Sequence, residues 1–254
     1  MSQQPVTVRG VTLGAGIPKI CVPLVGKSRG ALLTQARELQ QLPADVAEWR
    51  CDWYEYSFDP VAIRETLRDL RAILGNTPLL FTFRTAEEGG ARSIRHTEYI
   101  SLLSIAVQSG YADLIDAEIS QGEDVFRRIC SAAHAAGAYV IASSHDFQKT
   151  PPRDEMLARL AQMEDWGADI AKLAVMPQSP ADVLSLMEVT YTRNAVSRIP
   201  LITMSMSGMG TVSRLSGEVF GSAMTFGSAG TASAPGQLDA GKLAELLNLL
   251  HEVQ

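Results

Sequence analysis

An alternation constrains this chain more than any other feature. Eight short, apolar or β-rich runs of strand length are separated by amphipathic stretches of helix length. The strand candidates are KICVPLVG (19–26), VAEWRCDWY (46–54), PLLFTFRT (78–85), ADLIDAEI (112–119), AYVIASSHDF (138–147), DIAKLAVMP (169–177), PLITMSMS (200–207) and FGSAMTFGSA (220–229). Between them stand helical patterns such as ALLTQARELQQL, VAIRETLRDLRAIL, ISLLSIAVQSG and RDEMLARLAQMEDWG. The last two strands are closer together and leave room for only a brief helix around residues 214–219.

Strand then helix, repeated, implies a parallel sheet. The chain has 254 residues, about 32 per unit, close to the length of a βα repeat. Eight units favour a closed (β/α)8 TIM barrel, with residues 1–254 as a single domain. An open, doubly wound sheet has the same local pattern, but no GxGxxG follows the first strand to suggest a dinucleotide site. The segment TVRGVTLGAG (7–16) is expected to form a short N-terminal hairpin closing the bottom of the barrel. No Pro-, Ser- or Gly-rich linker divides the sequence.

Composition narrows the function classes. Hydrophobic residues make up 46% and charged residues 20%, so the chain can build a core and is not a disordered polymer. The formal charge of −6 and the lack of a basic cluster give no reason to expect a nucleic-acid partner. No apolar run reaches the roughly 18 residues of a membrane span. The opening MSQQPVTVRG lacks the apolar stretch of a signal peptide. Cys21, Cys51 and Cys130 are odd in number, far apart and without a CxxC, which argues against a disulfide framework or a cysteine zinc site. A cytoplasmic protein is expected.

Side chains alternate sides along a strand, and here the charges keep one parity. Glu48, Arg50 and Asp52 share a side, as do Leu80, Thr82 and Arg84, then Leu114, Asp116 and Glu118, then Ile141, Ser143 and His145, then Ile170, Lys172, Ala174 and Met176. The apolar parity should face the helices and the charged parity the barrel interior. Buried charges cost several kcal/mol unless paired, so Glu48, Asp52, Asp116 and Glu118 are expected to balance Arg50, Arg84, Lys172 and Arg214. That set is either an internal salt-bridge network or an active site, and barrel active sites lie at the C-terminal strand ends.

Lys172 sits mid-strand among apolar neighbours. Desolvation disfavours an ammonium ion and favours the free amine that attacks a ketone. The competing reading is a core lysine paired with Glu118 or Asp116. His145 faces inward at a strand end and can take and return a proton near neutrality. His96, His134 and His251 fall in helical or loop-edge patterns and should be solvated. A metal site is disfavoured, because lysine and arginines beside Asp116 and Glu118 would repel a cation. The glycine-bearing MSMSGMGTVSRLSGEVFGS and the segment SAGTASAPGQ suit loops at the mouth, the second a lid that excludes water on closing.

Seven ordered blocks together carry a resemblance: EWRCDW (48–53), LLFTFRTAEEGG (79–90), SSHDFQKTP (143–151), DIAKLAVMPQ (169–178), ITMSMSGMGTVSRLSGEVFGS (202–222), TFG (225–227) and SAPGQ (233–237). The chain resembles the type I 3-dehydroquinate dehydratases of the shikimate pathway over nearly its whole length. The resemblance implies an eightfold βα barrel without cofactor or metal, often a homodimer, that removes water from 3-dehydroquinate to give 3-dehydroshikimate. It further implies that Lys172 forms a Schiff base with the substrate ketone. His145 would then be the general base and acid, and Glu88 the carboxylate that orients it. By the same resemblance Arg214 binds the substrate carboxylate, and Glu48, Arg50 and Arg84 hold its hydroxyls. Ser233 and Gln237 would be lid residues. The chain departs from the family in carrying Gly208 where some members have lysine and Pro23 where serine is common.

Two other readings share some of these features. A Schiff-base aldolase acting on a sugar phosphate would need a phosphate cradle, whereas Arg214 and the lid suit a planar carboxylate. An inactive paralogue that only binds a shikimate-type acid would not need both Lys172 and His145.

Overall fold

In the computed structural model of the chain, residues 3–230 and 234–254 are described. The expected alternation is present. The hairpin comes first, as β1 (Val6–Val8) and β2 (Val11–Leu13). The repeats then run β3 (Lys19–Leu24), α1 (Arg29–Leu39), β4 (Val46–Arg50), α2 (Pro60–Leu74), β5 (Leu79–Thr82), α3 (His96–Gln108), β6 (Leu114–Glu118) and α4 (Glu123–Ala135). They continue with β7 (Tyr139–Asp146), α5 (Arg153–Asp165), β8 (Ile170–Val175), α6 (Pro180–Asn194) and β9 (Leu201–Ser205). Two short helices follow, α7 (Thr211–Leu215) and α8 (Gly217–Phe220), where a single brief one was expected. The chain ends with β10 (Met224–Ser228), β11 (Leu238–Asp239) and α9 (Ala240–Glu252).

Each boundary has a local cause. Asp59 caps α2 by accepting from the Val61 and Ala62 amides, with Pro60 in the first helical position. Ser179 and Asp182 form a capping box at the start of α6, again followed by proline. Strand β4 stops at Arg50, short of the expected residue 54, because Cys51–Trp53 winds into a 3₁₀ turn. The turn swings Asp52 back to take the Arg50 guanidinium with both oxygens, at 2.9 Å each.

The strands pair in parallel in the order β11-β10-β3-β4-β5-β6-β7-β8-β9. The sheet curls until its ends meet. There the Ala223 amide donates to the Leu201 carbonyl at 2.7 Å, and the Thr203 amide donates to Ser222 Oγ at 3.0 Å. This is the TIM-barrel architecture expected from the eight repeats.

Parity sorts the residues into two cores. The outward parity, including Trp49, Phe81, Ala142, Leu173 and Val175, packs against the helices. The inward parity divides by height. Its lower layer is apolar: Cys21, Val46, Leu80, Leu114, Ile141, Ile170, Ile202 and Met224 share a cluster with Val6, Val8 and Leu13 of the hairpin. The hairpin therefore plugs the N-terminal mouth, as expected, and keeps water out from below. The charges fill only the upper layer.

Candidate active site

The upper layer surrounds a cavity of about 460 Å³. Its walls include Glu48, Arg50, Arg84, His145, Lys172, Arg214 and Gln237. Seven of the nine residues singled out from the sequence thus meet in one place. Glu88 stands behind His145 rather than on the cavity wall, and Ser233 lies outside the described residues.

Lys172 is central in β8 and almost wholly buried. Its Nζ stands 3.3 Å from Asp116 Oδ2 and 4.5 Å above the centre of the Phe226 ring. Asp116 also accepts from Arg84 at 2.7 Å and from the Ser143 hydroxyl at 2.6 Å. Burial alone would raise the Asp116 carboxyl, but Arg84 and Lys172 outweigh it and hold the group below its usual range. Asp116 is thus an ionised counter-charge at the position where a lysine-derived cation would form.

Arg84 is spent on the protein itself. It donates to Glu118, Asp116 and Ser143, with Glu88 further off at 3.7 Å. Arg50 is forked onto Asp52. Glu48 accepts from the Thr82 hydroxyl at 2.8 Å and has no ion-pair partner among the described residues.

His145, at the end of β7, is oriented by Glu88 from the 3₁₀ turn Ala86–Glu88. Glu88 Oε2 lies 2.9 Å from both the His145 amide nitrogen and its Nδ1, and Oε1 accepts from the Ser120 hydroxyl at 2.7 Å. A proton on Nδ1 satisfies this bond and leaves Nε2 as the basic nitrogen. Burial first, then the nearby Arg84, Lys172 and Arg50, keeps the imidazole well below histidine's ordinary pKa. It is neutral, as a base must be. Burial and the neighbouring Glu118 lift the Glu88 carboxyl to about 7. Gly89, at φ +83°, packs so closely on the Phe147 ring that a Cβ would collide with it, which ties the Glu88 turn to the segment after His145.

Arg214 breaks the expected charge balance. The other three cations have carboxylate partners, but none reaches Arg214 among the described residues. Its guanidinium, 1% exposed, donates to Met204 Sδ at 3.6 Å and to the Pro235 carbonyl at 3.1 Å, and its Nε is buried without a partner. Burial pushes its pKa down to about 10, so it remains a cation at neutral pH. A buried guanidinium without a carboxylate partner among the described residues suits an anionic ligand.

Pro235 also accepts from the Ser207 amide at 3.2 Å. Gly236, at φ +77°, lies against the Ser207 carbonyl where any Cβ would collide. The described part of the expected lid is therefore docked over the mouth. Gly208, by contrast, has open space where a side chain would stand, and Pro23 is buried opposite Glu48 on β4.

Among the apolar wall residues that sequence reading does not single out are Met204, Met206 and Phe226. Their inward parity was available as a signal. Ser120, which serves Glu88 from outside, carries no pattern that could have marked it. Among the described residues, no group of three or more His, Cys, Asp or Glu side chains is arranged to hold a metal ion.

Comparison with known proteins supplies a context for this geometry. Residues 20–254 match the family model described as type I 3-dehydroquinase. A 3-dehydroquinate dehydratase of Bacillus licheniformis is 51% identical, covering 97% of each chain. One from Syntrophotalea carbinolica is 49% identical, covering 97% of this chain and 98% of its own. The crystal structure of a type I 3-dehydroquinate dehydratase from Clostridium difficile, with covalently modified comenic acid, superposes with a TM-score of 0.97. It is 44% identical and covers 99% of this chain and 100% of its own.

Proposed function

The chain belongs to the type I 3-dehydroquinase family and is a hydro-lyase that dehydrates 3-dehydroquinate by way of a Schiff base; we propose that Lys172 forms that imine, His145 moves the protons and Glu88 holds His145 in place. The observation that carries this assignment is the convergence on one cavity of Lys172, His145 and Arg214, the last without a carboxylate partner among the described residues.

The chemistry follows from the charges. Arg214 takes the substrate carboxylate, and the lid segment bonded to it covers the ligand. The Lys172 amine adds to the ketone, the carbinolamine hydroxyl takes up one proton and leaves as water, and the nitrogen lone pair closes the cationic iminium. Asp116, whose Oδ2 stands 3.3 Å from Lys172 Nζ, balances the iminium charge at the place where it forms. The iminium withdraws electrons and acidifies the adjacent carbon. His145 Nε2 removes that proton and an enamine results. The enamine expels the β-hydroxyl, which takes the proton back from His145 and departs as water. Hydrolysis releases 3-dehydroshikimate and restores the amine. Glu48, Arg50 and Arg84 line the cavity where substrate hydroxyls would lie, with Arg50 and Arg84 held rigid by their carboxylate partners. In this reading Gln237 contributes a further polar contact from the lid, and Ser233 is carried by the resemblance alone.

The same reading takes residues 1–254 as one barrel domain and the enzyme as a cytoplasmic homodimer without cofactor. Three buried, free cysteines suit a reducing compartment. No helix among the described residues is long and apolar enough to cross a membrane.

Single-turnover formation of the enone tests the assignment. Lys172→Ala should abolish it, and His145→Ala should slow it by about 10²–10⁴-fold, the worth of general acid–base catalysis. Undiminished turnover in Lys172→Ala would refute the assignment.

A further inference from the structure

His145 borders a second groove as well as the catalytic cavity. That groove, of about 1040 Å³, is also lined by Glu88, Ser120, Ser144, Arg159 and Trp166. The His145 and Phe147 side chains form the partition between the two spaces. Ser120 lies on the exposed turn Ile119–Gln121 that follows β6, and its hydroxyl reaches Glu88 Oε1 at 2.7 Å. The two carboxylate oxygens therefore divide their work. Oε2 receives both His145 donors, and Oε1 receives the hydroxyl from the groove.

The charges around Glu88 make that hydroxyl matter. Glu118 and Asp116 face it from β6, His145 from β7, and Arg84 from the end of β5, while Arg159 of α5 and Glu87 line the groove beyond. Arg84 lies 2.7 Å from Glu118 and from Asp116 but 3.7 Å from Glu88. Most of its charge is thus committed to the other two carboxylates. Arg84 still favours the Glu88 carboxylate from that distance, and the Ser120 hydroxyl adds to it through a direct bond to Oε1.

We propose that Ser120 is a positioning residue for the dehydration, its hydroxyl fixing the Glu88 carboxylate, from the groove side, in the orientation and charge state that hold His145. The inference rests on the role given to Glu88 above. Without the hydroxyl, Oε1 loses its hydrogen bond, only Arg84 is left to oppose burial and Glu118, and the carboxyl takes up a proton at higher pH. A protonated Glu88 no longer offers a full negative charge to the Nδ1 proton, so it holds the Nε2-basic form of His145, and the imidazolium that proton abstraction creates, less strongly.

The test is the pH profile of kcat/KM for wild type, Ser120→Ala, Ser120→Thr, Glu88→Gln and the double variant Ser120→Ala/Glu88→Gln. The acidic limb should rise by about one to two pH units in Ser120→Ala, the effect of one hydrogen bond to a carboxylate. Ser120→Thr, which keeps the hydroxyl, should restore it. In the Glu88→Gln background, Ser120→Ala should produce no further change. An unshifted limb in Ser120→Ala, with Glu88→Gln clearly impaired, would overturn the inference alone. A wild-type profile in Glu88→Gln would remove the role of Glu88 and the inference with it.

Discussion

The Arg214 guanidinium donates to the Pro235 carbonyl at 3.1 Å, so the cavity cation that lacks a carboxylate partner among the described residues is bonded to the segment that covers it. Pro235 accepts from Ser207 as well, and Gly236 fits against Ser207 only because it has no side chain. Anion binding and closure of the mouth are thereby joined at one residue. A ligand carboxylate would satisfy the buried Nε and stabilise the docked segment together.

Replacing that fork should separate charge from geometry. Arg214→Lys keeps the cation but loses the paired donors. KM for 3-dehydroquinate should rise about ten- to a hundredfold, in line with hydrogen bonds to a charged group of roughly 1.5–3 kcal/mol. Turnover should fall as well, since misplacement weakens proton transfer. Gln237→Ala, which removes a neutral polar group, should cost less, about 0.5–1.5 kcal/mol. Steady-state kinetics on both variants decide the matter. Wild-type behaviour in Arg214→Lys would move the carboxylate to Arg50 or Arg84 and reverse the orientation of the substrate.

Asp116 serves stability as well as chemistry. It is fully buried and joins Arg84 and Lys172. Asp116→Asn leaves two buried cations short of charge, at a cost of about 3–5 kcal/mol, or a fall in Tm of roughly 10 °C. The pH dependence has a definite sign. The folded Asp116 carboxyl sits below its unfolded value, so its contribution is present above about pH 4 and is lost as pH falls through the folded value. Thermal melts between pH 2 and 7 should show that loss in wild type and a flatter profile in the variant.

Glu88 should behave in the opposite way. Its folded carboxyl is raised to about 7, so the stability it contributes is fully present below the unfolded value near 4.5 and is lost as pH rises through about 7. Glu88→Gln removes that loss, because the neutral amide keeps an acceptor for His145 and has no charge to bury. Relative to wild type, its Tm should improve between pH 5 and pH 8, by an amount corresponding to at most about 3 kcal/mol. Activity should fall in the same variant. A Tm difference that stays constant across this range would mean that Glu88 is stably ionised when folded.

The barrel was legible because its two signals are local. Strand and helix lengths gave eight repeats, and the parity of Glu48, Arg84, Asp116, His145 and Lys172 gave the inside. What escaped depended on contacts between distant segments. Asp52 follows the inward parity in sequence, yet it sits on a 3₁₀ turn because Arg50, Arg84 and Ala91 draw its carboxylate back. Arg214 was expected to have a carboxylate partner, and charge counting could not show that Glu48 and Glu118 bond to Thr82, Thr85 and Arg84 instead. Glu88 lies in a loop, where no periodicity applies, and only the resemblance pointed to it. Ser120 is one exposed serine among many until its partner is seen.

The central claim is that Lys172 bonds covalently to the substrate, and reduction of the imine tests it most directly. The protein would be mixed with 3-dehydroquinate and sodium borohydride, then digested and analysed by mass spectrometry. The account predicts that the peptide containing Lys172 gains the mass of the reduced ligand and that activity is lost in step. Lys172→Ala should gain nothing, and His145→Ala should still be labelled, because its nucleophile remains. An unmodified Lys172 peptide in protein that continues to turn over would contradict the account.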